Sequence, residues 1–214
     1  PGQELPALAN VSIRIPAGTK VALMGPSGAG KSTVFQLLER FYDPQSGSVS
    51  VGGVDLRTVD LKSVHSHIRM VQQEPVIFSG TVAENITYGR GEATPAQIMQ
   101  AARQAALHEF VMSLPVKYET MVGQNGISLS GGQKQRLSLT TALLTQPEVL
   151  RLDDTTSALD AETEARIRVT LNNILRGRTS LTITQRIATA RDCDLIIVLD
   201  GGRVTQTGSH EELA

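Results

Sequence analysis

The chain has 214 residues, 40% apolar and 19% charged, with 20 Lys+Arg against 21 Asp+Glu for a formal net charge of −1. That length suffices for one domain of ordinary size with room for an inserted subdomain, and the balanced charge leaves no electrostatic footprint for nucleic acid. The longest aliphatic run, Leu195 to Leu199, falls far short of the ~20 residues that span a bilayer, and the single Cys193 excludes an internal disulfide or a cysteine-based metal cluster, as suits a reducing cytoplasm. Pro1-Gly2 reads as the middle of a turn, so the sequence is expected to be an excised fragment.

Val11 to Ile15 alternates apolar and polar residues, as a half-exposed strand does, and Pro16-Ala17-Gly18 turns it toward a buried strand at Val21 to Met24. Gly25-Pro26-Ser27-Gly28-Ala29-Gly30-Lys31-Ser32 follows and fits G-x-x-x-x-G-K-[ST]. The apolar spacing of Val34, Leu37, Leu38 and Phe41 predicts a helix over 33–41. Strand, glycine loop and helix together aim backbone N–H groups and a helix N-terminus at phosphates, so a nucleoside triphosphate is the expected ligand. Gly25, Ser27, Gly28, Ala29, Gly30, Lys31, Ser32 and Thr33 form the expected cradle, with Lys31 reaching the outer phosphates and the Ser32 hydroxyl ligating Mg²⁺.

Ser48 to Val51 and Val54 to Leu56, split by Gly52-Gly53, read as a hairpin in a peripheral antiparallel layer, and Ile68 to Gln72 as a strand of the main sheet. From about residue 75 the character changes to helical. Thr94-Pro95 opens a helix to about Ala106, a short one covers Leu107 to Ser113, and another runs from near Ser130 to before Pro147. Val149 to Asp153 is then a strand, Ala161 to Leu175 an amphipathic helix, Ser180 to Thr184 and Leu195 to Leu199 further strands, and Ser209 with Glu212 a capping-box start for a last helix. The alternation implies an α/β fold with a mostly parallel sheet covered on both faces. Residues 75–145 are the helical insertion, dividing a nucleotide-binding core into 1–74 and 146–214.

Two further signals carry chemistry. The strand Val149 to Asp153 ends in the carboxylates Asp153 and Asp154, which beside the glycine loop can hold the Mg²⁺ shell and orient an attacking water. Leu129-Ser130-Gly131-Gly132-Gln133 precedes a helix, with Ser130 as N-cap and glycines exposing amides at the positive end of the dipole. Taken alone, this segment is equally a capped helix after a flexible turn. His65, His67, His108 and His210 lack metal-ligand spacing and read as surface or packing residues.

Gly25–Ser32 as Walker A, Leu129–Gln133 as the LSGGQ signature, the Asp153 strand as Walker B and Ser157-Ala158-Leu159-Asp160 together resemble the nucleotide-binding domain of ABC transporters. Gln73 resembles the family's Q-loop glutamine, and Phe78 to Ile86 the segment that follows it in exporters of the multidrug and lipid-flippase type. The resemblance implies a P-loop (RecA-like) core with ATP and Mg²⁺, the metal held by Ser32, Gln73 and Asp153. It implies head-to-tail dimerisation with a second nucleotide-binding domain, so that Ser130, Gly131, Gly132 and Gln133 serve the partner's ATP. A transmembrane domain would be driven by closure, placing the chain at the cytoplasmic face of the cell membrane. A kinase would have no use for LSGGQ, and a soluble ABC ATPase acting on DNA or ribosomes would carry coiled-coil insertions or tandem cassettes with basic surfaces.

Several positions depart from the family. Asp154 stands where the catalytic Glu is expected and Gln185 where the switch His is expected. A misplacement of roughly 1 Å in a water-positioning group can cost on the order of 100-fold in rate, and one lost transition-state contact roughly 3–4 kcal/mol. Similar pairs mark the degenerate site of heterodimeric exporters, so the chain's own Walker site is expected to bind ATP and hydrolyse it slowly while its signature completes a different subunit's site. The alternative is a hydrolytically competent homodimer. Gln124-Asn125 replaces the x-loop's charged pair, Thr140-Thr141 puts β-branched residues in the signature helix, and Arg151 puts a charge in an apolar strand, costly unless paired. The adenine-stacking aromatic would lie before Pro1.

Overall fold

The computed structural model describes residues 6–71, 75–88, 92–123, 126–153, 169 and 171–214. The chain forms two compact units, one of Pro1–Arg69, Glu148–Arg151 and Gly177–Ala214, the other of Met70–Pro147 and Leu152–Arg176.

The first unit is built on β1 (Lys20–Met24), which lies between two parallel neighbours, β8 (Thr179–Ile183) and β9 (Leu195–Asp200). The full sheet order is β10-β9-β1-β8-β7-β4, with β10 (Arg203–Gly208) antiparallel at the edge, β7 spanning Val149–Asp153 and β4 Ile68–Val71. Val21, Ala22 and Leu23 are fully buried, as a strand covered on both faces requires. Val21 and Leu23 share a core with Phe35 of α1 (Lys31–Leu38), Leu181, Ile197 and Leu199, while Ala22 faces the other side with Ala190 and Ile196. The expected α/β fold is therefore the one observed.

Residues 11–15 correct the first strand expectation. Val11, Ile13 and Ile15 are half-buried against the core while Ser12 and Arg14 are exposed, but the segment joins no ladder among the described residues. Alternation reports which side faces the core; it does not supply a pairing partner. The helix expected over 33–41 also differs. It begins at Lys31 and stops at Leu38, because Arg40 turns to φ 56° and throws Phe41 into solvent. Arg40 is held there by its guanidinium, which donates to the carbonyls of Leu56 (2.9 Å) and Val59 (2.6 Å) and meets Asp43 at 3.1 Å.

Those carbonyls flank the small antiparallel layer, β2 (Ser50–Val51) and β3 (Val54–Asp55). Its turn residues Gly52 (φ 58°) and Gly53 (φ 82°) are both left-handed, as a two-residue hairpin that matches strand twist demands. Asp60 caps α2 (Leu61–His67), which leads into β4. After β8 comes α7 (Ile187–Arg191), and α8 (His210–Leu213) closes the chain behind the expected Ser209–Glu212 capping box. Cys193 is a free, half-buried thiol that burial pushes up to about 12.

The second unit is mainly helical: α3 (Val82–Thr87), α4 (Pro95–Gln104), α5 (His108–Met112), α6 (Gly131–Leu144), a helical stretch at 171–175, and a short antiparallel pair of β5 (Gly80–Thr81) and β6 (Met121–Val122). Reciprocal capping boxes open α3 (Thr81 and Glu84), α4 (Thr94 and Gln97) and α6 (Ser130 and Gln133). Helix α6 buries Leu137, Leu139, Thr140, Ala142, Leu143 and Leu144 and packs against α3 and α4. Its two threonines are accommodated because each hydroxyl donates one turn back, Thr140 to Arg136 O (2.7 Å) and Thr141 to Leu137 O (3.1 Å). Thr141 also reaches the Asn85 carbonyl at 3.2 Å. Asn85 is buried and spends its amide on backbone, accepting from Phe78 N–H (2.9 Å) and donating to Phe78 O and Thr81 O (both 3.0 Å). Among the described residues no helix is long and apolar enough to cross a membrane.

Candidate nucleotide-binding site

The loop after β1 owes its shape to glycines required for different reasons. Gly25 lies at φ 140°, and a Cβ there would run into the Leu199 carbonyl oxygen. Gly30, at φ 100°, would drive a Cβ to 2.6 Å from Leu8 Cδ2 and 2.8 Å from Ala7 O. Between them Ala29 is buried, its N–H donating to Pro26 O (3.2 Å) and its carbonyl accepting from Gly202 N–H (3.3 Å), so the turn after β9 supports the loop. Gly25→Ala is expected to destabilise the fold by about 3 kcal/mol, read as a thermal midpoint lowered by roughly 6–12 °C.

Lys31 is 9% exposed, and its Nζ donates to Gly25 O (2.8 Å) and Pro26 O (2.7 Å), drawing the first turn of α1 over the loop. Gly30 caps α1 without any side chain, and no acidic residue occupies the first turn. The orphan amides and positive dipole end of α1 are thus left for an anion. Ser32 is exposed and Thr33 half-buried on that turn, offering hydroxyl oxygens of the kind Mg²⁺ takes alongside phosphates. Cradle, cation and hydroxyl all fit a Mg²⁺-bound polyphosphate.

Gln185 belongs to the same unit as this loop. Leu23 of β1 pairs with Ile183 of β8, and Thr184 N–H donates to Leu23 O at 3.3 Å. The next residue, Gln185, is exposed beside the point where β1 opens into Gly25. An adjacent parallel strand therefore brings it to the same edge, where crevices beyond strand ends receive ligands.

Asp153 is half-buried and closes β7. Two residues earlier, Arg151 has the partner that its burial demands. Its Nη1 lies 2.7 Å from Glu39 Oε2, and its guanidinium carbon sits 4.2 Å over the Phe35 ring. Sequence reasoning asked for a partner without finding Glu39. The available signal was the spacing Lys31, Phe35, Glu39, which places all three on one face of a helical turn sequence.

In the other unit, the Ser130 hydroxyl accepts from Gln133 N–H (3.3 Å), and Gln133 Oε1 accepts from Ser130 N–H (2.8 Å). Ser130 and Gly131 are exposed, Gly132 is buried and Gln133 half-buried. Arg136, which sequence reasoning passed over, donates to Gly132 O (3.2 Å) and to Ala106 O (3.1 Å), fastening the start of α6 to the corner between α4 and α5. Gln73, Asp154, Gln124-Asn125 and Ser157 to Asp160 lie outside the described residues.

Comparison with known proteins adds a family assignment. A family model described as ABC transporter matches residues 8–157. ABC transporter B family member 13 of Arabidopsis thaliana is 44% identical over 98% of the chain, and the mitochondrial potassium channel ATP-binding subunit of Xenopus tropicalis 47% identical over all of it. The chain spans 17% and 31% of those relatives' lengths. A solved bacterial Atm1-family ABC exporter with ATP bound is 42% identical, with a TM-score of 0.85 over 97% of this chain and 36% of that one.

Proposed function

The chain belongs to the ABC transporter family, and from that premise we propose that it is the ATP-binding, ATP-hydrolysing domain of an exporter, working at the cytoplasmic face of a membrane against a transmembrane domain. The observation that carries the reading is the uncapped N-terminus of α1 behind Lys31 in a chain that also presents the capped turn at Ser130. Each is half of a phosphate clamp. Head-to-tail pairing with a second nucleotide-binding domain gives each half its complement, so the Ser130 turn serves the partner's ATP. On this reading residues 1–74 and 146–214 are the nucleotide-binding core and 75–145 the helical subdomain that carries the signature.

Within the chain's own site, Lys31 neutralises charge on the outer phosphates while the loop amides orient them. Ser32, Asp153 and Gln73 would hold Mg²⁺, which when bound would neutralise part of the phosphate charge. Asp154 orients the attacking water, and Gln185 donates an amide hydrogen bond toward the γ-phosphate. Neither matches the carboxylate reach and imidazolium charge that fast hydrolysis uses. The site is accordingly a slow one, and the partner is a different subunit whose own Walker site carries the faster turnover.

The reading is tested by Ser130→Arg in the intact protein. ATP affinity of the Lys31 loop is expected to stay within about threefold, because the substituted side chain belongs to the partner's site, while ATP-dependent cross-linking of the two nucleotide-binding domains is lost by about tenfold or more. Pairing that survives Ser130→Arg unchanged counts against the clamp.

A further inference from the structure

Helix α1 turns one stripe inward. Lys31, Phe35 and Glu39 follow at four-residue intervals, with Phe35 fully buried and Glu39 only 5% exposed. The stripe begins at the lysine of the glycine loop and ends in a carboxylate. That ending is unfavourable by local rules, since an acidic group at a helix C-terminus opposes the dipole and a buried charge needs a partner. Arg151, 112 residues away in sequence, supplies it at 2.7 Å, with side chains 11% and 7% exposed for Arg151 and Glu39. Glu39 is tied a second time, its carbonyl lying 2.9 Å from His65 Nε2. Side chains alternate along a strand, so Asp153 shares the face of β7 that carries Arg151.

A buried ion pair is a weak source of net stability, because desolvation offsets most of the attraction. What it supplies is direction. The ladders to β8 and β4 already fix the register of β7 within the sheet; a guanidinium held by both a carboxylate and an aromatic face adds a directional tie to α1 that two apolar side chains would lack. We propose that Glu39 and Arg151 are positioning residues that fix how the Arg151 end of β7 seats on the glycine-loop helix, and through it the placement of Asp153 toward the metal. The proposal rests on the reading of Asp153 as a Mg²⁺ ligand.

The test uses the intact protein with Mn²⁺ as probe, its binding to the ATP-loaded protein followed by electron paramagnetic resonance. Asp153→Asn is measured in parallel. The apolar double variant Glu39→Leu/Arg151→Leu leaves no buried charge unpaired, and its ATP affinity without metal is expected to stay within about twofold, while Mn²⁺ binding weakens about tenfold, the scale of disturbed metal surroundings. Glu39→Gln preserves shape and a hydrogen-bond acceptor, and is expected to weaken Mn²⁺ binding in smaller measure, about threefold. Unaltered Mn²⁺ affinity in the folded variants, with Asp153→Asn impaired, overturns the positioning role. If Asp153→Asn itself leaves Mn²⁺ binding unchanged, the ligand assignment fails and the proposal fails with it.

Discussion

On the proposed slow-site reading, changing Asp154 to Glu and Gln185 to His together is expected to raise ATP turnover at this chain's own site by about 100-fold or more, because that reading puts both groups nearest the attacking water. The carboxylate gains one methylene of reach, and misplacement by about 1 Å is enough to account for two orders of magnitude. The imidazole, unlike the amide of Gln185, can carry a positive charge into its hydrogen bond toward the phosphoryl oxygens. Gln185 is well placed for the exchange: it is exposed, and its strand runs parallel and adjacent to the one that opens into the glycine loop. If the two groups act on one water, as proposed, the single changes are expected to recover much less than the pair. Phosphate release from the reconstituted protein is the measurement, with hydrolysis at the partner site blocked. Turnover that is already fast in the unsubstituted chain, and unmoved by the double change, would instead support the hydrolytically competent homodimer.

Lys31→Ala carries the second large effect. The ammonium is the cation of the loop and also its brace, bonded to the carbonyls of Gly25 and Pro26. On the proposed reading its removal takes away a charge-assisted phosphate contact worth about 1.5–3 kcal/mol, and it leaves two loop carbonyls without their donor. ATP affinity is expected to fall about 100-fold, measured by equilibrium binding of a fluorescent ATP analogue. Lys31→Arg is not expected to rescue it, since the planar fork cannot take the place of a compact ammonium reaching two neighbouring carbonyls. Retention of ordinary affinity in Lys31→Ala would remove the basis for assigning the loop.

The loop was legible because its chemistry is contiguous: eight adjacent residues specify the glycine conformations, the lysine and the hydroxyl. The Ser130 cap and the Gly52-Gly53 turn were legible for the same reason, since caps and tight turns are decided within a few residues. What escaped was non-local. Strand β10 is a polar stretch, Arg203 to Gly208, made a strand by the ladder that β9 offers it. The alternation of 11–15 gave the buried side correctly and the strand wrongly, since no described strand pairs with it. The early end of α1 depends on carbonyls at Leu56 and Val59 that capture Arg40. Arg151 announced an unmet need, but only the fold could bring Glu39 to it. The helix α3 was missed although Thr81 and Glu84 spell its capping box, because it is too short to display apolar periodicity.

The slow-site account is tested most directly by identifying the nucleotide cross-linked beside Lys31 after the intact protein has turned over Mg²⁺-ATP for many cycles. Unhydrolysed ATP retained there, with ADP accumulating at the partner's site, is the predicted result. ADP formed equally at both sites would contradict it.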